Sequence, residues 1–180
     1  MVYGDSLSAA YGLDINDGWV YLLEQKLQKK HPQWRVINLS ISGETTAGGL
    51  SRLAKSLKQY RPELILLELG ANDGLRGTSL NRFKSNLEQM ISLAQKHNVE
   101  VIMFEMQIPP NYGPVYTRRF TQTFHDLGKE YQVPVIPFFL DGVAGIETLN
   151  QDDGIHPTAK AQPKLLDNVW SFIDTAIHQY

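Results

Sequence analysis

The residues best suited to chemistry begin with Ser6, inside Gly4-Asp5-Ser6-Leu7-Ser8. A short apolar stretch, Met1-Val2-Tyr3, precedes it and reads as the end of a strand; Ala9-Ala10-Tyr11-Gly12 follows and reads as a helix start or turn. A serine at such a junction holds its hydroxyl at the end of a sheet, beside N–H groups that lack intrahelical partners and can face an oxyanion. On its own it is most simply a helix cap. Polar groups far along the chain change that reading. A serine nucleophile needs a base, and His156 is the best candidate. An imidazole needs a carboxylate to hold its tautomer, and Asp153 lies three residues earlier in Asp153-Gly154-Ile155-His156. Negative charge developing on a tetrahedral intermediate needs fixed donors, which the N–H groups of Ser6 and Gly43 and the side-chain amide of Asn72 can supply.

For these groups to meet, the elements between them must form one sheet edge. Trp19, Leu22, Leu23 and Leu27 recur at helical spacing up to Lys30, where His31-Pro32 stops the helix. Residues 35–39 read as a second strand leading to Gly43. Thr45 or Thr46 caps a helix whose inner face is Leu50, Leu53, Ala54 and Leu57, with Gly48 and Gly49 weakening its first turn. Leu64 to Leu69 is near-continuously apolar, as a parallel strand buried on both faces should be, and ends in a Gly70–Gly74 loop. Helices are expected over about 79–97 and 115–131 and from Pro163 onward, and further strands over 100–106 and 135–137. Strands and helices alternate throughout, which predicts a parallel sheet with helices on both faces. Ligands of such sheets bind beyond the carboxyl ends of the strands, where Ser6, Gly43, Asn72 and the 153–156 loop would converge.

Composition narrows the function. The 180 residues suit one domain over 1–180; 42% are hydrophobic and 20% charged, and the net charge of −2 leaves no basic footprint for nucleic acid. No apolar run is long enough for stable membrane insertion. Cysteine is absent, so there are no thiolate metal sites, and the five histidines form no ligand pair at metal spacing. Asp14, Asn16 and Asp17-Gly18 match a calcium loop only loosely and read as a capping turn. There is no GxGxxG, P-loop or GxSxG. The three-residue first strand is short for a central position and suggests a natural chain that begins upstream with a secretion signal.

Gly4-Asp5-Ser6-Leu7-Ser8, Gly43, Gly70-Ala71-Asn72-Asp73 and Asp153-Gly154-Ile155-His156-Pro157 resemble the four blocks of the SGNH (GDSL) hydrolase family. The chain is similar to its bacterial thioesterase I, lysophospholipase and arylesterase branch. The likeness extends through Ile41–Thr45, Asn72–Gly77, Pro110–Gly113 and Gln151–Gly154. It implies a three-layer α/β/α flavodoxin-like fold with a five-stranded parallel sheet, and no metal or organic cofactor. It also implies Ser6 as nucleophile, His156 as base, Asp153 as its partner, and an oxyanion hole of Ser6, Gly43 and Asn72. Ala71 departs from the family by replacing a common second glycine. The implied substrate is a small acyl ester or thioester, and the implied location periplasmic or secreted. Leu75, Ile108, Pro109, Pro110 and Tyr112, in two loops at the site edge, are expected to contact the acyl chain. The alternatives are a carbohydrate O-deacetylase and a non-catalytic flavodoxin-like binding module.

Overall fold

The computed structural model describes residues 1–178. Four parallel strands, β1 (Val2–Gly4), β2 (Leu64–Glu68), β3 (Glu100–Phe104) and β4 (Val135–Ile136), lie side by side in that order. Gly4 pairs with Glu68, Leu67 with Met103, and Phe104 with Ile136, so the carboxyl ends form one common edge. The fifth strand expected over 35–39 is not formed. That segment still runs alongside β1: Val2 N–H donates to the Ile37 carbonyl (2.8 Å), and Leu39 N–H donates to that of Val2 (2.9 Å). The ladder fails one step later because Gly4 N–H donates to Ser40 Oγ (3.1 Å) instead of a backbone carbonyl. What remains is an isolated bridge between Val2 and Asn38.

Among the described residues, six α-helices flank the sheet: α1 (Trp19–Lys30), α2 (Thr46–Tyr60), α3 (Ala71–Leu75), α4 (Leu80–Lys96), α5 (Pro114–Tyr131) and α6 (Gln162–Ile177). α1 packs on α6, while α4 packs on both α2 and α5. An aromatic cluster marks each layer. Trp19 meets Phe104 and Phe139 at ring-centroid distances of 5.7 and 5.5 Å, and Phe83 stacks on Phe120 at 4.8 Å. Burying such side chains contributes roughly 1.5–3 kcal/mol each.

Two local expectations are corrected. Ala54 of α2 is exposed, and Gly49 and Ser56 join Leu53 and Leu57 on the buried face. Gly49 is required there because a Cβ would lie 2.5 Å from Leu69 Cδ1. The Gly70–Gly74 segment expected as a loop contains the short helix α3. Gly70 enters it at φ 128°, where any Cβ would also strike the Phe83 ring at 2.8 Å.

Candidate active site

Ser6 stands two residues beyond β1 on a turn closed by its neighbour. Asp5 Oδ1 accepts the Leu7 N–H (3.0 Å), and the Asp5 carbonyl accepts the Ala9 N–H (3.0 Å). The Asp153 loop closes in the same way. Asp153 Oδ1 accepts the N–H groups of Ile155 (2.9 Å) and His156 (3.0 Å), with Gly154 at φ 69° making the bend. This leaves Asp153 Oδ2 facing His156 Nδ1 at 2.6 Å, while His156 Nε2 lies 2.9 Å from Ser6 Oγ. The His156 N–H, then the His156 ring and the Ile155 N–H, hold the Asp153 carboxyl down at about 2. An ionised Asp153 accepts a proton-bearing Nδ1, and the Nε2 lone pair is left for the serine hydroxyl.

Side chains outside the four blocks steady this relay. The Tyr11 ring packs on the His156 ring at a centroid distance of 4.3 Å. Gln151 Nε2 donates to the Tyr11 carbonyl (2.8 Å) and the Pro157 carbonyl (3.1 Å), clamping the two loops together across 140 positions of sequence. Tyr11 carries no spacing signal in the sequence, and Gln151 enters there only through the family likeness, with no role attached to it.

Gly43 lies at the tip of the 41–44 turn with φ 78°, a conformation suited to glycine. Its carbonyl accepts Arg76 Nη2–H (3.0 Å), which ties the turn to the C-terminal end of α3. Asn72 sits in the first turn of α3, and Asp73 anchors that turn by accepting Thr46 N–H (2.8 Å) and Thr46 Oγ1–H (2.7 Å). Asn72 Nδ2 donates one hydrogen to Asp5 Oδ2 (3.0 Å), leaving the other for a ligand. Among the described residues, the N–H groups of Ser6 and Gly43 have no protein acceptor. The turn therefore joins an activated hydroxyl to donors able to receive a developing oxyanion, an arrangement capable of acyl transfer.

A family model described as "GDSL-like Lipase/Acylhydrolase family" matches residues 2–162. The chain belongs to this GDSL family. It is 45% identical to the Pseudomonas aeruginosa protein named Esterase TesA, over 94% of this chain and 85% of that one. It is 41% identical to the Escherichia coli protein named Thioesterase 1/protease 1/lysophospholipase L1, over 93% and 79%. Its fold matches the crystal structure of the psychrotrophic esterase EstA from Pseudoalteromonas sp., inhibited by monoethylphosphonate. The TM-score there is 0.94, with 41% identity and coverage of 98% of this chain and 97% of that one. The sheet and its flanking helices are thus those of SGNH hydrolases, with four strands rather than five.

Beneath the nucleophile this GDSL domain buries a second carboxylate that the sequence reading passed over. Glu68, the last residue of β2, is fully buried. Its Oε2 accepts Ser8 Oγ–H (2.7 Å) and Asp5 N–H (3.2 Å). Its carboxyl also lies within hydrogen-bonding reach of the Asp5 carboxyl. Among the described residues, no donor reaches Glu68 Oε1. Two acids in contact in a dry site cannot both ionise, so they share a proton. Burial pushes Asp5 up to about 6 and Glu68 far above its usual range, with the Asp5 charge adding to the rise. Glu68 is driven further up than Asp5, which favours the proton on Glu68 and the charge on Asp5 beside Asn72. A glutamate inside an otherwise apolar strand was the available signal, since such residues are rarely fully buried without a partner.

The residues expected to contact the acyl chain divide. Ile108 is buried, and its Cγ2 occupies the space that a Cβ on Gly74 would fill. Leu75 is half-buried, Pro109 and Pro110 are exposed, and Tyr112 is 37% exposed. Tyr112 Oη donates to the Leu75 carbonyl (2.9 Å), joining the two loops. A concavity of about 760 Å³, lined by residues such as Val101, Val133 and Phe172, contains none of the site's groups.

Proposed function

We propose that this GDSL hydrolase cleaves carboxylic esters and acyl thioesters, lysophospholipids included, through an acyl-enzyme on Ser6. Ser6 Oγ attacks the acyl carbonyl as its proton passes to His156 Nε2, and the carbonyl π electrons move onto the oxygen. The Ser6 and Gly43 N–H groups and the Asn72 amide receive that oxyanion. Collapse of the tetrahedral species expels the alkoxide, phenolate or thiolate, which takes the proton from His156. Water then attacks the acyl-serine, giving a proton to His156, and the acid leaves as Ser6 Oγ recovers that proton. Asp153 stays ionised throughout and stabilises the imidazolium. No cofactor enters any step.

The observation that supports this best is the unbroken relay from Asp153 to His156 to Ser6, at 2.6 and 2.9 Å, beside two backbone donors without protein acceptors. Leu75, Pro109, Pro110 and Tyr112 form the surface for the acyl chain, with Ile108 supporting them from beneath. A panel of p-nitrophenyl esters and acyl-CoA thioesters of increasing chain length, run on wild type and Ser6→Ala, tests the reading. Turnover of aryl esters and thioesters, lost in the variant, is expected. Activity confined to acetylated xylan would replace it with a carbohydrate deacetylase. Absence of fluorophosphonate labelling at Ser6 would remove the hydrolase reading altogether. The family likeness also supports a periplasmic or secreted location, which fractionation of the native host would check.

A further inference from the structure

His31, Asp174 and His178 meet at the surface on the side of the sheet covered by α1 and α6. Sequence spacing gave no hint of this, because His31 lies 143 positions from Asp174. The fold brings them together by ending two packed helices at the same place. His31 is the C-cap of α1, His178 is the C-cap of α6, and Asp174 lies one turn before His178 on α6. His31 Nε2 is 2.9 Å from Asp174 Oδ1, and His178 Nδ1 is 4.0 Å from the same oxygen. The two imidazoles stand edge to face with centroids 4.8 Å apart. One donor atom from each of the three residues falls within 4.8 Å of both others.

We infer that His31, Asp174 and His178 form a binding site for a divalent transition metal, Zn²⁺ foremost, distinct from the catalytic centre. Two imidazoles and one carboxylate suit zinc, which takes nitrogen at about 2.0–2.1 Å and carboxylate oxygen at about 2.0–2.2 Å in tetrahedral geometry. Such bonds set donors roughly 3.3 Å apart, between the 2.9 and 4.8 Å seen here. Closing the triangle requires the 62% exposed His178 side chain to turn, giving up the hydrogen bond between its Nδ1 and the Asp174 carbonyl. Hard ions such as Mg²⁺ and Ca²⁺ prefer all-oxygen sites, so the nitrogen pair argues against them. The carboxyl ends of two helices carry partial negative charge, which favours a cation. Lys30, a neighbouring cation on α1, lies over the Trp170 ring, 5.4 Å from its centroid, and its charge also acts on Asp174, where it opposes a bound cation. Three protein ligands leave a fourth position for water. A metal held here would cross-link the first long helix to the last, and clips that close long loops constrain the unfolded chain most.

The test uses the whole protein after EDTA treatment and dialysis, titrated with Co²⁺ followed visibly and with Zn²⁺ followed by calorimetry. Expected are one saturable site, the visible absorption of four-coordinate Co²⁺ with displacement by Zn²⁺, and unchanged ester hydrolysis at saturation. Tm should rise by roughly 5–10 °C at a hundredfold excess over Kd. His178→Ala, at an exposed position that the fold does not depend on, should weaken binding at least tenfold, as should His31→Gln. Binding that survives either substitution, or that is never saturable, overturns the site. Inhibition that tracks occupancy also overturns it, because it would place the ion on His156.

Discussion

Two acid regions flank Ser6, and the same functional group behaves oppositely in each. In the 153–156 loop, Asp153 is open to solvent, accepts two backbone N–H groups and the His156 ring, and is held down at about 2. In the floor beneath the nucleophile, Asp5 and Glu68 are dry, face each other, and are both pushed up. The first region supplies a charge for chemistry. The second supplies a fixed dipole and one shared charge to hold the apparatus in place. Donors per oxygen and access of water, rather than residue type, decide which role a carboxyl takes.

The largest effect that can break this contrast is expected at Asp153. Asp153→Asn removes the charge that fixes Nδ1–H, and kcat should fall roughly 10³–10⁴-fold. Asp152→Asn, one position away with no such contact, should lose little. If the two exchanged behaviour, the carboxylate of the relay would be Asp152.

Next in size is the link between the regions. Asn72→Ala should lower kcat by about 10²–10³-fold, because its amide acts on the oxyanion. KM should stay nearly constant, since that charge is absent in the ground state. A fall in Tm with kcat intact would make Asn72 a structural residue only.

Glu68 should produce a smaller loss of activity and a larger change in stability. Glu68→Leu strands Ser8 Oγ and the Asp5 N–H in a dry site, which costs about 1–3 kcal/mol for each group left unpaired. Slack at Asp5 should then reach Asn72 and lower kcat by roughly tenfold, a loss of ~1.4 kcal/mol in transition-state binding. Wild-type Tm in this variant would show that the floor is dispensable.

Glu68→Gln should have the smallest effect and sharpen the comparison most. A glutamine amide donates to Asp5 as a protonated glutamic acid does, and its oxygen still accepts from Ser8. Activity near pH 7 should therefore be close to wild type. The signs of the pH dependence are opposite in the two regions. Raised groups stabilise most below their unfolded values of 3.8 and 4.5, and that contribution fades as pH rises through the folded values. The Tm of Glu68→Gln relative to wild type should thus climb with pH above about 4.5. Asp153, held down, contributes stability above 3.8 that is lost as pH falls through about 2. Asp153→Asn should accordingly flatten only the acid side. A Tm difference for Glu68→Gln that does not vary with pH would show that Glu68 carries no proton in the native state.

Much of this site was legible in the sequence because each group follows a strand, and parallel strands end at one edge. Ser6, Asn72 and the Asp153–His156 spacing needed no knowledge of tertiary contacts. What escaped depends on contacts made across the chain. The strand expected over 35–39 fails because Ser40 Oγ takes the Gly4 N–H. Ala54 faces outward, and Gly49 sits on the inner face of α2 where a side chain would meet Leu69, a contact that helical periodicity does not reveal. Glu68 interrupts an apolar run, but its partners Asp5 and Ser8 reach it only across the fold. The spacing of His31 and His178 along the chain says nothing about two helices ending together.

The clamp from Gln151 to the Tyr11 carbonyl and the contact from His156 to Ser6 also govern the order of assembly. These contacts span 140 and 150 positions, so they close nearly the whole chain into a loop. Helices and neighbouring strands can form with far shorter closures, and long closures come late when entropy sets the pace. Catalytic competence should therefore be the last property gained on refolding, with ellipticity recovering before turnover. A nascent chain that reaches only residue 150 would carry the nucleophile without its base, so the hydrolase would remain silent until the 153–156 loop has been made and folded back.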